Sequence, residues 1–169
     1  MTEHIPQRAQ RTLQMIKTKK DTTVKQVNET HLIRIKSKIT RDEESENIEL
    51  TTRGSYVFKN GNYFITYAET ETTGFDGTTT MVKVAEDESR VAMLRFGKTA
   101  SQLLIQRGQR NLCHYETGVG SLTLGVTANE ITSDLDAQGG TVRFDYMLDA
   151  GSAELMSQNG LEITVTPLS

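Results

Sequence analysis

From residue 54 onward the chain is punctuated by turn-forming residues at short intervals, and this spacing constrains the fold more than any other feature. Asn60-Gly61, Asp76-Gly77, Asp87-Glu88, Gly97-Lys98, Gly108-Gln109, Gly118, Gly139-Gly140, Gly151 and Asn159-Gly160 follow one another. Each marks a place where the backbone readily reverses. Between them lie runs of about 5–15 residues rich in Thr, Val, Ile, Tyr and Phe, which read as strands. The 24 threonines reinforce this, because branching at Cβ stiffens χ1 and suits a pleated strand. Strands are expected at roughly 31–41, 47–59, 62–72, 78–86, 89–96, 101–107, 110–117, 120–135, 140–149 and 153–166. Short strands joined by hairpin turns argue an all-β, antiparallel barrel or sandwich; the longest runs suit a barrel, of about eight to ten strands. The acidic stretch Asp42–Glu46 reads as a solvated loop, and Asn159-Gly160 as a break in the last strand.

Residues 1–30 have a different character and read as an extension to a barrel domain at 31–169. Residues 1–29 hold Arg8, Arg11, Lys17, Lys19, Lys20 and Lys25 against Glu3, Asp21 and Glu29, a net charge of +3. The whole chain carries −3, so the remainder carries −6. Pro6 suits a first helical turn, and Ala9, Leu13 and Ile16 follow at helical spacing. The segment is expected to be a short, weakly amphipathic helix or a disordered arm. With so few net charges and no aromatic residue to stack on bases, it does not argue for nucleic acid.

Several function classes are excluded. No apolar run approaches the roughly 20 residues of a membrane-spanning helix. The polar start lacks the apolar stretch of a secretory signal, so the chain reads as cytoplasmic. A single cysteine, Cys113, permits neither an intrachain disulfide nor a Cys-based zinc site, and is expected to be a small buried or half-buried hydrophobe. Gly118-Val-Gly120 lacks the third glycine and helix of a dinucleotide loop, and Asp134-Leu-Asp136 lacks the spacing of a calcium loop. His4, His31 and His114 are far apart, and a metal site would have to combine His114 with Glu69 and Glu116. No metal and no cofactor is expected.

Side chains on a strand alternate between faces. One face, taken as the barrel interior, holds Ile33, Ile35 and Ile39; Tyr63, Ile65, Tyr67 and Glu69; and Thr79, Met81 and Lys83. It continues through Val91, Met93 and Arg95; Leu103, Ile105 and Arg107; and Leu112, His114 and Glu116. Leu122, Leu124 and Val126, then Val142, Phe144, Tyr146 and Leu148 complete it. Several of these apolar rows end in a charge. The candidate ligand-binding set is therefore Tyr67, Glu69, Lys83, Arg95, His114, Glu116 and Tyr146, converging inside the barrel or at its mouth. Arg95 is the leading ligand contact, because its planar donor fork matches a carboxylate or phosphate. The opposite face of the middle strands, with Val82, Val84, Leu94 and Phe96, is apolar too, so a shift of one residue exchanges the two sets.

Tyr67-Ala-Glu-Thr-Glu-Thr-Thr-Gly74, Gly77-Thr-Thr-Thr-Met-Val-Lys83, Met93-Leu-Arg-Phe-Gly97, His114-Tyr-Glu-Thr-Gly118 and Gly120-Ser-Leu resemble the YwiB-like family over about residues 31–166. The resemblance implies a calycin-like, or lipocalin-like, antiparallel barrel and assigns no activity, ligand or catalytic residue. Three readings stay open. The first is a barrel that binds a small polar or anionic-headed ligand. The second is an interaction protein whose barrel is filled by its own side chains, with a homodimer among its partners. The third is an enzyme using a Glu/His/Arg set in the same cup. The reading favours binding over catalysis.

Overall fold

A computed structural model describes residues 28–73, 76–98, 100–117, 120–151 and 155–168, with residues 115–117 described by backbone alone. The helix expected within residues 1–29 falls on residues 1–27, outside the described residues. The described chain forms β1 (His31–Arg41), β2 (Glu44–Lys59), β3 (Asn62–Ala68), β4 (Thr78–Ala85) and β5 (Arg90–Gly97). It continues with β6 (Ser101–Gln106), β7 (Arg110–Thr117), β8 (Gly120–Ser133), β9 (Gly140–Asp149) and β10 (Leu155–Pro167). A short 3-10 turn, Glu71–Thr73, lies between β3 and β4. No helix among the described residues is long and apolar enough to cross a membrane.

Each strand pairs antiparallel with the next, and β10 pairs with β1 to close the barrel. The closing ladder runs from His31 opposite Pro167 to Thr40 opposite Gln158. The narrowest seam lies between β6 and β7. Its one strand pair in register is Ser101 opposite Tyr115, and the Asn111 side-chain amide donates to the Leu104 carbonyl at 3.3 Å.

Partners in adjacent strands point to the same side of a sheet, so the pairing settles which face is interior. Ile33, Ile65, Val91, Ile105, Val126, Val142 and Phe144 are fully buried, as alternation predicts. Two strands are phased the other way. On β4 it is Thr78, Thr80, Val82 and Val84 that are buried, while Met81 and Lys83 face outward. Val82 lies opposite both Ile65 and Met93, which places it inside with them. On β7, Cys113 is buried opposite Leu124, and Leu112 is 65% exposed. Cys113 is thus the expected buried hydrophobe, and burial pushes its thiol pKa up. Within β8 a bulge between Ala128 and Glu130 inserts an extra residue. It explains how Val126 and Ile131, of opposite parity, are both fully buried.

Two expected interruptions are absent. Asn159-Gly160 is not a turn; β10 runs through it, with Gly160 between Lys38 and Asp145. A Cβ at Gly160 would sit 2.7 Å from an Asp145 carboxylate oxygen, so glycine here serves close packing between neighbours, not reversal. Gly54, buried within β2, has a similar role: a Cβ would strike the Thr66 carbonyl oxygen and lie 2.6 Å from Ile33 Cδ1. The acidic stretch is not a loop either. β2 begins at Glu44 and pairs with Arg41, leaving only Asp42 and Glu43 to turn the chain.

The barrel end that carries the β2–β3, β4–β5, β6–β7 and β8–β9 connections is sealed. Tyr56 and Tyr63 stack there with ring centroids 5.8 Å apart, and the Tyr56 hydroxyl donates to the Asp136 carbonyl at 2.6 Å. Arg107, expected on the interior row, lies just beyond β6 and donates to the Glu88 and Ile131 carbonyls. The Glu88 carboxylate in turn accepts from the Ser133 backbone N–H at 3.0 Å.

Asp42 and Glu43 both adopt positive φ, 46° and 71°, as a two-residue hairpin turn that follows the strand twist demands. Glutamate meets a steric cost of about 1–2 kcal/mol in that region, which glycine avoids. Glu43→Gly is therefore expected to raise stability by about 1 kcal/mol. Equilibrium urea denaturation checks this, and an unchanged or lower midpoint would contradict the turn assignment.

Candidate functional site

The opposite end of the barrel, where β1–β2, β3–β4, β5–β6, β7–β8 and β9–β10 connect, holds a cavity of about 350 Å³. Its wall is mostly apolar: Ile35, Ile39, Ile48, Leu50, Met93, Leu103, Leu122, Leu124, Leu148 and Leu161 contribute. Its polar groups are Tyr67, Glu69, Thr73, Arg95, Tyr146, Ser157 and Asn159 within, with Ser37 and Arg41 on β1. At about 30 Å³ per water, that volume corresponds to roughly a dozen waters, the small end of the range for ligand pockets.

Local pairing explains why Glu69 faces inward. Its backbone N–H donates to the Thr78 carbonyl at 2.8 Å, which extends the β3–β4 ladder past Ala68. Glu69 therefore keeps the parity of Tyr67. The 3-10 turn brings Thr73 back, and its hydroxyl donates to Glu69 Oε1 at 3.0 Å. Thr80, on the buried face of β4, donates to Oε2 at 2.6 Å. Arg95 Nε stands 3.6 Å from the same Oε2, with the Arg95 side chain 13% and the Glu69 side chain 2% exposed. A carboxylate this deep requires such partners, because an unpaired buried charge costs several kcal/mol. Burial first, then the adjacent Glu69 carboxylate, push the Tyr67 phenol up from its ordinary value, so it remains a neutral hydroxyl. Tyr146 also acts electrostatically on Tyr67, so the two phenols share the cavity with the ion pair.

Four of the seven candidate residues, Tyr67, Glu69, Arg95 and Tyr146, thus line one cavity. Lys83 and His114 do not join them. Lys83 lies on the outer face of β4 with Nζ 5.8 Å from the Phe64 ring centroid. His114 is exposed on the outer face of β7, with Nδ1 3.4 Å from Thr123 Oγ1. Both corrections have the same cause, the phase of β4 and β7. Glu116 is described by its backbone alone, opposite Ser121. Among the described residues no three His, Cys, Asp or Glu side chains gather to hold a metal. Ser157, Asn159, Thr73 and Thr80 escape the sequence reading. Asn159 is hidden because Asn-Gly is the strongest local turn signal, and the two threonines look like ordinary strand or loop residues.

If the buried ion pair holds this wall together, its members depend on each other. Arg95→Leu is expected to lower stability by about 3 kcal/mol, since it strands the Glu69 carboxylate. The double variant Arg95→Leu/Glu69→Gln is expected to recover most of that loss. Thermal or urea unfolding of the wild type, Arg95→Leu, Glu69→Gln and the double variant checks this. Additive losses would show that the two side chains do not interact.

The chain matches the model of a family described as a domain of unknown function, DUF1934, over residues 33–163. It is 30% identical over 122 residues to the uncharacterized beta-barrel protein YwiB of Bacillus subtilis (strain 168), a match covering 72% of this chain and 83% of that protein. It also resembles the crystal structure of the ywiB protein from Bacillus subtilis, with a TM-score of 0.70, 27% identity, and coverage of 83% of this chain and 94% of that one. An antiparallel barrel, a family model spanning its strands and a relative with the same architecture agree: the chain belongs to the DUF1934 family of YwiB-like β-barrel proteins.

Proposed function

We propose that this protein binds a small molecule with an apolar body and an anionic head, a carboxylate or phosphate, inside the open end of its barrel. The observation that carries this reading is a cavity of about 350 Å³ whose wall is mostly apolar and whose charged lining is two guanidiniums, Arg41 and Arg95, against one carboxylate, Glu69. Glu69 is the most deeply enclosed of the ion pair and already accepts two hydroxyl hydrogen bonds. Arg95 is the deeper cation, and its donor fork suits a carboxylate or phosphate. Small barrels of the calycin type hold a single ligand in such a cup. The catalytic alternative needs a histidine inside the cup, and His114 is exposed on the outer face of β7.

Titration with octanoate and with its methyl ester, followed by ¹H–¹⁵N NMR, tests the proposal. Octanoate is expected to give saturable shifts at Tyr67, Arg95, Tyr146 and Asn159, and to bind about ten- to a hundredfold tighter than the ester, as a charge-assisted hydrogen bond allows. In Arg95→Leu/Glu69→Gln that preference is expected to vanish. Equal binding of acid and ester, or shifts spread over the outer surface, would overturn the reading.

A further inference from the structure

The cavity has a second polar station that the ion pair does not use. Ser157 and Asn159 lie on β10, and β10 is five strands from β5 in either direction around the ten-strand ring. They therefore stand on the wall opposite Arg95. Both are buried, at 4% and 8% exposure, and both line the cavity. The Asn159 amide N–H donates to Ser157 Oγ at 2.9 Å. Among the described residues this is the one hydrogen bond that either side chain makes, so the Asn159 carbonyl oxygen has no protein donor and the Ser157 hydroxyl proton no protein acceptor. Neither oxygen is a sealed-off polar atom, so this open capacity faces the cavity. A wall that holds an open acceptor beside an open donor, with Tyr146 on the neighbouring strand, is built for a polar group.

We infer that the ligand is bifunctional: a short aliphatic acid that carries, away from its anionic head, a hydroxyl or amide group received by Ser157 and Asn159. The inference rests on the reading of the cavity as an anion-headed ligand site and adds what its second end must be. A hydroxyl fits the station because it donates to the Asn159 carbonyl and accepts from the Ser157 hydroxyl. A plain alkyl end leaves both groups unpaired when it displaces water from them.

The test compares hexanoate, octanoate and decanoate with their ω-hydroxy counterparts, by calorimetry or NMR titration, on the wild-type chain and on Asn159→Leu and Ser157→Ala. At the chain length that spans the cavity, the hydroxy acid is expected to bind about three- to tenfold tighter than the plain acid in the wild type. In Asn159→Leu the preference is expected to disappear while the plain acid binds at least as well. Ser157→Ala removes the donor of the same station, is expected to reduce the preference likewise, and serves if the leucine variant does not fold. If plain and hydroxy acids bind equally at every length, the inference fails and the anion-headed reading stands. If no acid of either series binds, that underlying reading fails and takes the inference with it.

Discussion

The constraint on which everything else depends is closure. Ten residue pairs join β1 to β10, the first strand to the last. Without them the sheet would have two long edges and two accessible faces. With them it has one interior, and every strand must commit alternate residues to it. Closure therefore fixes the phase of all ten strands together. Out of phase, β4 would bring Lys83 inside and leave Val82 and Val84 in water, and β7 would bring His114 inside in place of Cys113.

A closed sheet must also resolve what fills it. The two ends of this barrel do so differently. One is packed with aliphatic side chains and capped by stacked tyrosines, with loop carbonyls held by Arg107 and Tyr56. The other stops short of filling itself. Its strands extend beyond the core, and the space between them is lined by leucines, isoleucines and a few polar groups. Tyr67 and Tyr146 belong both to the buried core and to the lining of that space. Below them, packing supplies most of the stability, at about 1.5–3 kcal/mol per large aliphatic side chain fully buried.

The polar groups of the cavity are costly for folding, which is why each needs local support. Glu69 is held by two threonine hydroxyls and a guanidinium. That arrangement depends on a loop that turns back on itself and on a strand phased to present Thr80 inward. Ser157 and Asn159 have only each other. The two stations thus differ in kind: one is satisfied by the protein, and the other keeps unsatisfied capacity facing the cavity.

The strands themselves were legible in the residues, because turn signals and β-branched runs are local properties. Strands β1, β7 and β9 begin and end where the pattern places them, and the inward rows of β1, β3, β5, β6 and β9 follow from alternation. Tyr67, Glu69, Arg95 and Tyr146 were identifiable on that basis as residues of one cavity. What local pattern could not determine was phase wherever both faces of a strand are plausible. On β4 both faces mix threonine with apolar residues and Lys83 sits beside Met81, so only pairing with Ile65 and Met93 decides that Val82 is inside. On β7 the same decision falls to Leu124 opposite Cys113. Asn159-Gly160 and the Asp42-Glu43 turn were misread for a related reason. Turn propensity is a preference of about a kilocalorie per mole, and a ladder of cross-strand pairs on both sides outweighs it. The sequence alone thus determined the class, the approximate places of the strands along the chain and half of the site. The tertiary structure decided which side of each ambiguous strand faces inward, because closure couples that choice across all ten strands at once.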